Sequence, residues 1–282
     1  MSRIMVTGAN GYIGAHVVST LCDISQDQQI IAVGFNNTKI DNRAIFMPVD
    51  ILKDTNKNIQ HIFGGEIDIC IHMAWQDGFN HQADSHINNL PGHYNFVKKI
   101  IDSGCKNLNI MGSMHEVGYH EGIVDETTPC NPLSPYGISK NALRQLTQAY
   151  AENKNVSLKW LRAFYVTGDD RNNKSIFSKI IQLESEKKES FPFNDGQNKY
   201  DFIDVKDLAK QIAKASLQKN ISGIINVCSG EPISLKEKVE NFISNNGFNI
   251  RPEYGVFPNR KYDSPVIYGN NFKIQKIMLE QQ

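Results

Sequence analysis

Met1-Ser2-Arg3-Ile4-Met5-Val6-Thr7-Gly8-Ala9-Asn10-Gly11-Tyr12-Ile13-Gly14 passes from a short apolar run through a glycine-rich turn into an amphipathic stretch. Ile4, Met5 and Val6 read as a buried parallel strand, and Gly14 to Leu21 as the helix that follows it. Gly8 and Gly11 permit a sharp turn and a close backbone approach to a pyrophosphate. Gly14 allows the helix to pack tightly on the strand, and the helix start offers unpaired N–H groups to phosphate oxygens. A strand, this glycine spacing and a helix in that order point to a dinucleotide-binding α/β fold.

Outward from this stretch, strand-like and helix-like segments alternate. Apolar runs at 30–33, 46–49, 67–73, 108–112 and 157–162 read as strands, and 94–101 reads as helical. Repeated βα units of this kind build a doubly wound parallel sheet of Rossmann type. After residue 168 the texture changes: 174–188 and 233–245 read as helices, 191–197 as a loop, and prolines at 252, 258 and 265 punctuate the tail. The expected organisation is a dinucleotide-binding domain over 1–168, with 202–230 packing back onto it. A smaller lobe over 169–282 covers the carboxyl edge of the sheet, where such folds bind ligands.

Composition bounds the function. The 282 residues carry 30 Lys+Arg against 30 Asp+Glu, which speaks against a nucleic-acid or anionic-membrane surface. No apolar stretch approaches the ~20 residues of a membrane span. The first strand starts within a few residues of Met1, so no signal peptide is expected and the cytoplasm is the expected compartment. The five cysteines (Cys22, Cys70, Cys105, Cys130, Cys228) form no CxxC, and Cys70 and Cys228 sit in apolar runs as small hydrophobes. No metal site is expected.

The chemistry concentrates at Tyr136-Gly-Ile-Ser-Lys140, where a helix begins after Pro132 and Pro135. Positions i and i+4 share a helix face, so phenol and ammonium project into one space. An unperturbed tyrosine ionises near ~10, and a fixed cation beside it is expected to lower that value. Ser113, just past the fifth strand at the carboxyl edge, can hydrogen-bond a substrate oxygen beside Tyr136 or simply cap a turn.

With these residues the chain resembles the short-chain dehydrogenase/reductase superfamily, in its extended, nucleotide-sugar-modifying branch (the NAD-dependent epimerase/dehydratase type). The likeness covers nearly the whole length. TGANGYIG (7–14) matches TGxxGxxG, and His72-Met73-Ala74-Trp75 resembles HLAA. Asn89 to Asn95 matches NxxGTxN, with His93 where threonine is usual. Residues 161–168 resemble LRxFNVYG, 200–207 resemble RDFIHVDD, 226–231 resemble NVGSGE, and Arg260-Lys261-Tyr262-Asp263 matches the RPGD segment. The resemblance implies catalysis by Ser113, Tyr136 and Lys140, with Asn89 assisting. It implies a cofactor site of Gly8, Asn10, Gly11, Tyr12, Ile13, Gly14, Asn36, Asp50, Ile51, Met73, Ala74 and Asn89 with Tyr136 and Lys140. A sugar-nucleotide site of Trp75, Gln76, Ser113, Arg260 and Asp263 follows, and a homodimer is expected.

Within that branch, dehydratases follow the catalytic hydroxyl with an Asp–Glu pair. Met114 and His115 stand there, and methionine does no acid–base work, which argues against dehydration. His115 is either a proton shuttle, with an ordinary pKa near ~6.5, or a structural histidine. Trp75 either stacks on a sugar ring or packs. Asp50 either contacts adenine or caps the next helix. The second strand ends in Gly34-Phe35-Asn36-Asn37 without a carboxylate, and Lys39 and Arg43 follow. They either approach a 2′-phosphate, which tilts the reading slightly to NADP(H), or are solvated. The reading is a 4-ketoreductase of a nucleotide-linked sugar serving surface-glycan synthesis. A 4-epimerase with tightly bound NAD is the alternative, and a non-catalytic cofactor-binding protein a more distant one.

Overall fold

The computed structural model describes residues 2–53, 59–169, 171, 173, 175–258 and 263–280. In chain order the elements begin β1 (Arg3–Thr7), α1 (Tyr12–Ile24), β2 (Gln29–Gly34), β3 (Ile45–Pro48), α2 (Ile59–Ile62), β4 (Ile69–His72) and α3 (Ser85–Asp102). They continue with β5 (Asn107–Ser113), a 3₁₀ turn (Met114–Glu116), β6 (Gly122–Val124), α4 (Pro135–Asn153), β7 (Ser157–Ala163) and β8 (Tyr165–Thr167). The remainder is α5 (Ile176–Ser185), β9 (Ser190–Pro192), β10 (Lys199–Asp204), α6 (Val205–Leu217), β11 (Gly223–Val227), β12 (Pro232–Ser234), α7 (Leu235–Asn245), β13 (Arg251–Glu253), β14 (Val266–Gly269) and α8 (Phe272–Leu279).

Seven parallel strands form the central sheet in the order β11-β7-β5-β4-β1-β2-β3. β1, β2 and β4 are almost wholly buried, as apolar strands covered on both faces must be. One face packs Val17, Val18 and Leu21 of α1 with Leu208 and Ile212 of α6 and Ile274 and Ile277 of α8. The other packs Phe96, Val97 and Ile100 of α3 with Leu143 of α4. The chain leaves β1 in one direction for β2 and β3 and in the other for β4, β5, β7 and β11. A crevice therefore opens beyond the carboxyl ends of β1 and β4, where ligands of such sheets bind.

A second sheet runs β12-β10-β14-β6, with β8 also paired to β10, and β9 pairs β13 separately. Fully buried Asp201 ties it together, accepting from the N–H groups of Ser229, Gly230 and Gly269 and from the Ser229 hydroxyl. Among the described residues no helix is long and apolar enough to cross a membrane.

Several expectations need correction. The helix read over 233–245 begins only at Leu235, because Pro232–Ser234 pairs with β10 and the Ser234 hydroxyl caps the helix by accepting from Glu237 N. The loop read over 191–197 begins with strand β9. The fourth strand is shorter than 67–73, since Asp68 turns its carboxylate to Arg3 N at 2.7 Å. Helix α8 falls within the segment read as the smaller lobe, yet it packs on the main core.

Candidate active site

Gly8 ends β1 at φ +70°, and a Cβ there would lie 2.7 Å from Ala74 N. A Cβ at Gly14 would lie 2.1 Å from the Gly8 carbonyl, so helix and turn meet without side chains between them. α1 starts after Gly11 with no capping side chain on its first-turn N–H groups, and Tyr12 and Ile13 open it. Asn10 Oδ1 accepts from Phe35 N at 3.4 Å, linking this turn to the end of β2. Met73 and Ala74 donate their N–H groups to Thr7 Oγ1, both at 3.2 Å. Such bare backbone at a helix amino-terminus fits a dinucleotide pyrophosphate.

Past that cradle lie the three residues read as catalytic. Ser113 is the last residue of β5, 7 % exposed, and bonds the Tyr136 phenol. Its hydroxyl also accepts from His115 N at 3.3 Å. Tyr136 stands in the first turn of α4, set by Ser134 as N-cap (accepting from Gly137 N) and Pro135 at the next position. Lys140 follows one turn later, its Nζ 5.9 Å from the Tyr136 ring centre. It donates to the Met111 carbonyl at 2.8 Å and lies 3.9 Å from the centre of the Trp75 ring.

Electrostatically the site departs from expectation. Burial pushes Tyr136 up to about 12, with the Ser113 hydrogen bond working against it. Burial also lowers Lys140 to about 7, while the Glu116 charge raises it. The tyrosine is therefore not depressed by its lysine, because the ammonium turns toward Met111 and Trp75. His115 is lowered to about 3 by burial and by His81, whose ring lies 4.2 Å away. The ordinary histidine value that made it a shuttle does not hold here.

Histidines crowd the site in a way the sequence did not announce. The His81 ring lies parallel to Tyr136 at 4.8 Å and its carbonyl accepts from Tyr136 N. Thr7 Oγ1 accepts from two backbone N–H groups, so its own proton goes to His72 Nδ1 at 2.8 Å. His72 Nε2–H then donates to His93 Nδ1 at 3.1 Å. His93 stacks on Trp75, with 4.5 Å between centres, and Trp75 Nε1–H donates to His86 Nδ1 at 3.0 Å. His86 Nε2–H donates to the Asn80 carbonyl. Each of these three imidazoles thus has an assigned neutral tautomer. Burial holds His72 well below its usual range and His93 down at about 3, with Lys140 adding to both.

Trp75, half-buried, is flanked by the His93 ring and the Lys140 ammonium. Glu116 is a site residue with no signal in its sequence surroundings beyond its place near Ser113. It is fully buried, accepts from Arg162 Nε at 2.6 Å and from Trp160 Nε1 at 2.8 and 3.0 Å, and anchors the turn after Ser113.

The remaining residues sit as follows. Asn89 on α3 donates to Gln76 Oε1 at 3.2 Å. Asp50 accepts from Leu52 N inside a turn and pairs with Lys53, with no helix starting there among the described residues for it to cap, and Ile51 beside it is buried. Asn36 Oδ1 accepts from the Thr38 backbone and hydroxyl. Arg43, half exposed, is paired with Asp41 and Asp23 at 2.6 to 2.9 Å. Asp263 is half-buried, and Arg260, Lys261 and Tyr262 lie outside the described residues.

Residues 4–228 match the NAD dependent epimerase/dehydratase family. The chain is 44% identical over 272 residues to a dTDP-6-deoxy-L-talose 4-dehydrogenase (NAD(+)) of Aggregatibacter actinomycetemcomitans, covering 95% of this chain and 99% of that one. It is 28% identical to a putative UDP-glucose 4-epimerase of Methanocaldococcus jannaschii, over 93% and 86% of the two. In fold it is similar to the UDP-glucose 4-epimerase of Thermotoga maritima, solved with UDP-glucose (TM-score 0.83, 21% identity, 99% and 94% covered). The UDP-glucuronic acid 4-epimerase of Bacillus cereus, solved with UDP-glucuronic acid and NAD, is alike (TM-score 0.82, 21% identity, 99% and 93% covered). With a family match over most of its length and a relative matched nearly end to end, the chain belongs to the NAD dependent epimerase/dehydratase family, whose fold is the Rossmann-type sheet described above.

Proposed function

We propose that this protein is an NAD(H)-dependent oxidoreductase acting at C4 of a dTDP-linked 6-deoxyhexose, interconverting the C4 hydroxyl and the 4-keto sugar. The near end-to-end match to a dTDP-6-deoxy-L-talose 4-dehydrogenase carries the reading. A bound nicotinamide supplies the acceptor or donor of hydride. The Tyr136 phenol, protonated near neutrality because burial raises it, gives its proton to the sugar oxygen in the reducing direction. Ser113, whose hydroxyl bonds the phenol, would turn its proton to the same sugar oxygen once substrate is bound, and Lys140 would hold the nicotinamide ribose. The uncapped first turn of α1 would hold the pyrophosphate of the cofactor. NAD(H) is preferred to NADP(H), in line with the NAD(+) dependence of that relative, and Arg43 already faces two carboxylates.

The site works in a homodimer, for which the exposed apolar side chains of α3 and α4 (Ile87, Ile138 and Leu146) supply a contact face. Light scattering at micromolar concentration, yielding a mass twice the 31.8 kDa chain, is the corresponding check.

The decisive experiment mixes the purified protein with NADH and a dTDP-4-keto-6-deoxyhexose, following absorbance loss and the C4 configuration of the product by NMR. Stoichiometric NADH oxidation is expected, with NADPH at least tenfold poorer. Inversion at C4 of a hydroxyl sugar without net cofactor change, together with NAD released on denaturation, would make it an epimerase instead.

A further inference from the structure

Lys140 presents an unusual problem for a buried cation. It is 3 % exposed, its ammonium donates to the Met111 carbonyl, and the buried carboxylate in its vicinity, Glu116, is already taken by Arg162. Two rings lie near Nζ, Tyr136 at 5.9 Å from its centre and Trp75 much closer at 3.9 Å. A cation over an indole face is attracted by the ring quadrupole, most strongly where water is excluded.

We propose that Trp75 is a positioning residue whose indole face holds the Lys140 ammonium in place, and that His86 and His93 hold the indole. This rests on the functional reading above only in that Lys140 is taken to serve the cofactor ribose. The ring is fixed at two points that an ordinary packing tryptophan does not need. Its N–H is spent on His86 Nδ1, which can accept because His86 Nε2–H is committed to the Asn80 carbonyl. Its face is stacked on His93, which is itself oriented through His72 by the Thr7 hydroxyl. The chain of tautomers therefore runs from the cofactor turn at Thr7 to the catalytic lysine. Thr7 also receives the N–H groups of Met73 and Ala74, the two residues before the indole.

The groups facing the ammonium from each packed element are few. Tyr136 lies on its own helix, Glu116 on the 3₁₀ turn, His72 on β4 and His93 on α3. Burial keeps both histidines neutral, and Arg162 balances Glu116. Beside the Glu116 charge, which still raises Lys140, the indole face in contact with the ammonium sustains it against desolvation. Without it, the ammonium should lose its proton at lower pH.

The test compares wild type with Trp75→Phe, which keeps an aromatic face, and Trp75→Leu, which does not. NAD+ affinity is measured calorimetrically from pH 5.5 to 9.5, and kcat and KM across the same range with the dTDP-sugar. In the leucine variant the pH midpoint at which NAD+ binding weakens should fall by about one unit, a tenfold change in the lysine ionisation constant, as expected for losing a desolvated cation–π contact. The phenylalanine variant should stay within about a third of that shift. Urea denaturation of both variants runs alongside, because a tryptophan that only packs would lower stability and leave the midpoint unmoved. Coincident midpoints in wild type and Trp75→Leu, or equal shifts in both variants, would overturn the proposal. Should wild type bind NAD+ but turn over no sugar nucleotide, the functional reading fails while the affinity titration still decides the role of Trp75.

Discussion

Two buried cations stand at the carboxyl end of the sheet, and the protein treats them differently. Arg162, fully buried at the end of β7, meets a carboxylate at 2.6 Å and also donates to the Asp125 carbonyl. Lys140, nearly as buried, meets a carbonyl and an indole. A guanidinium cannot shed its proton, so burying it demands a counter-charge and makes the pair structural. An ammonium can titrate, and without a bonded carboxylate Lys140 falls to about 7, inside the working range of an enzyme. The counter-charge marks a cation that holds the fold, and its replacement by a polarisable ring marks one left adjustable.

The largest effect that sharpens this contrast is catalytic. Tyr136→Phe should lower kcat by about 10²–10⁴ with NAD+ affinity nearly unchanged, because only the transferable proton is removed. If Lys140 acts on the chemistry through Tyr136, adding Lys140→Met to that variant should reduce kcat little further while weakening NAD+ binding. Additive losses in kcat would break the link between the two residues.

Next comes Glu116→Gln, which leaves the Arg162 charge buried and uncompensated. It should cost about 3–5 kcal/mol in urea denaturation. Lys140→Met, removing a cation with no bonded carboxylate, should cost less than about 1 kcal/mol or stabilise the fold. Equal losses in the two variants would erase the distinction between a structural and an adjustable cation.

The pH dependence of stability separates the same groups more finely. Lys140 and fully buried Lys159 (held to about 8 by burial) bind protons more weakly folded than unfolded. The unfolded chain therefore carries more protons between those values and about 10.5. Stability should rise with pH through that window, by up to about 1.4 kcal/mol per unit for each lysine. His93 and His115, near about 3 folded against ~6.5 unfolded, have the same sign at lower pH, so stability should fall as pH drops below about 6.5. Denaturation midpoints from pH 4 to 10 for wild type, Lys159→Met and His93→Asn provide the check. A lysine variant that keeps the alkaline rise intact, or a histidine variant that keeps the full acid loss, would show that other groups govern it.

The smallest effect expected is on cofactor choice. Arg43→Ala should leave the NADH to NADPH preference within about threefold, since exposed ion pairs are worth little and the guanidinium already has two carboxylates. A marked drop in NADPH use would return Arg43 to a 2′-phosphate role.

How much of this could be read in advance depends on how local each cause is. Gly8 to Gly14, the Tyr136–Lys140 spacing and the apolar strands 4–6, 30–33 and 108–112 declare themselves within a few residues, because turn sterics and helix period act over that range. The two smaller sheets do not show in the sequence because their strands β6, β8, β9, β12 and β13 are three residues long, too short for any alternation to appear. His115 and Tyr136 depart from the ionisation their spacing suggests, because desolvation depends on what folds over a side chain. Trp75 and Lys140, Thr7 and His72, and Glu116 and Arg162 each stand tens of residues apart.

Neighbouring residues set the βα alternation, the glycine turn from Gly8 to Gly14 and the identity of the serine, tyrosine and lysine at the sheet edge. Hydrophobic period, glycine sterics and helix spacing are properties of neighbouring residues. Tertiary structure alone decided which cation received a carboxylate and which a ring, which tautomer each histidine keeps, and where each proton is held. Those outcomes follow from burial and partner geometry, which arise only when β4, α3, β5 and α4 close around one another.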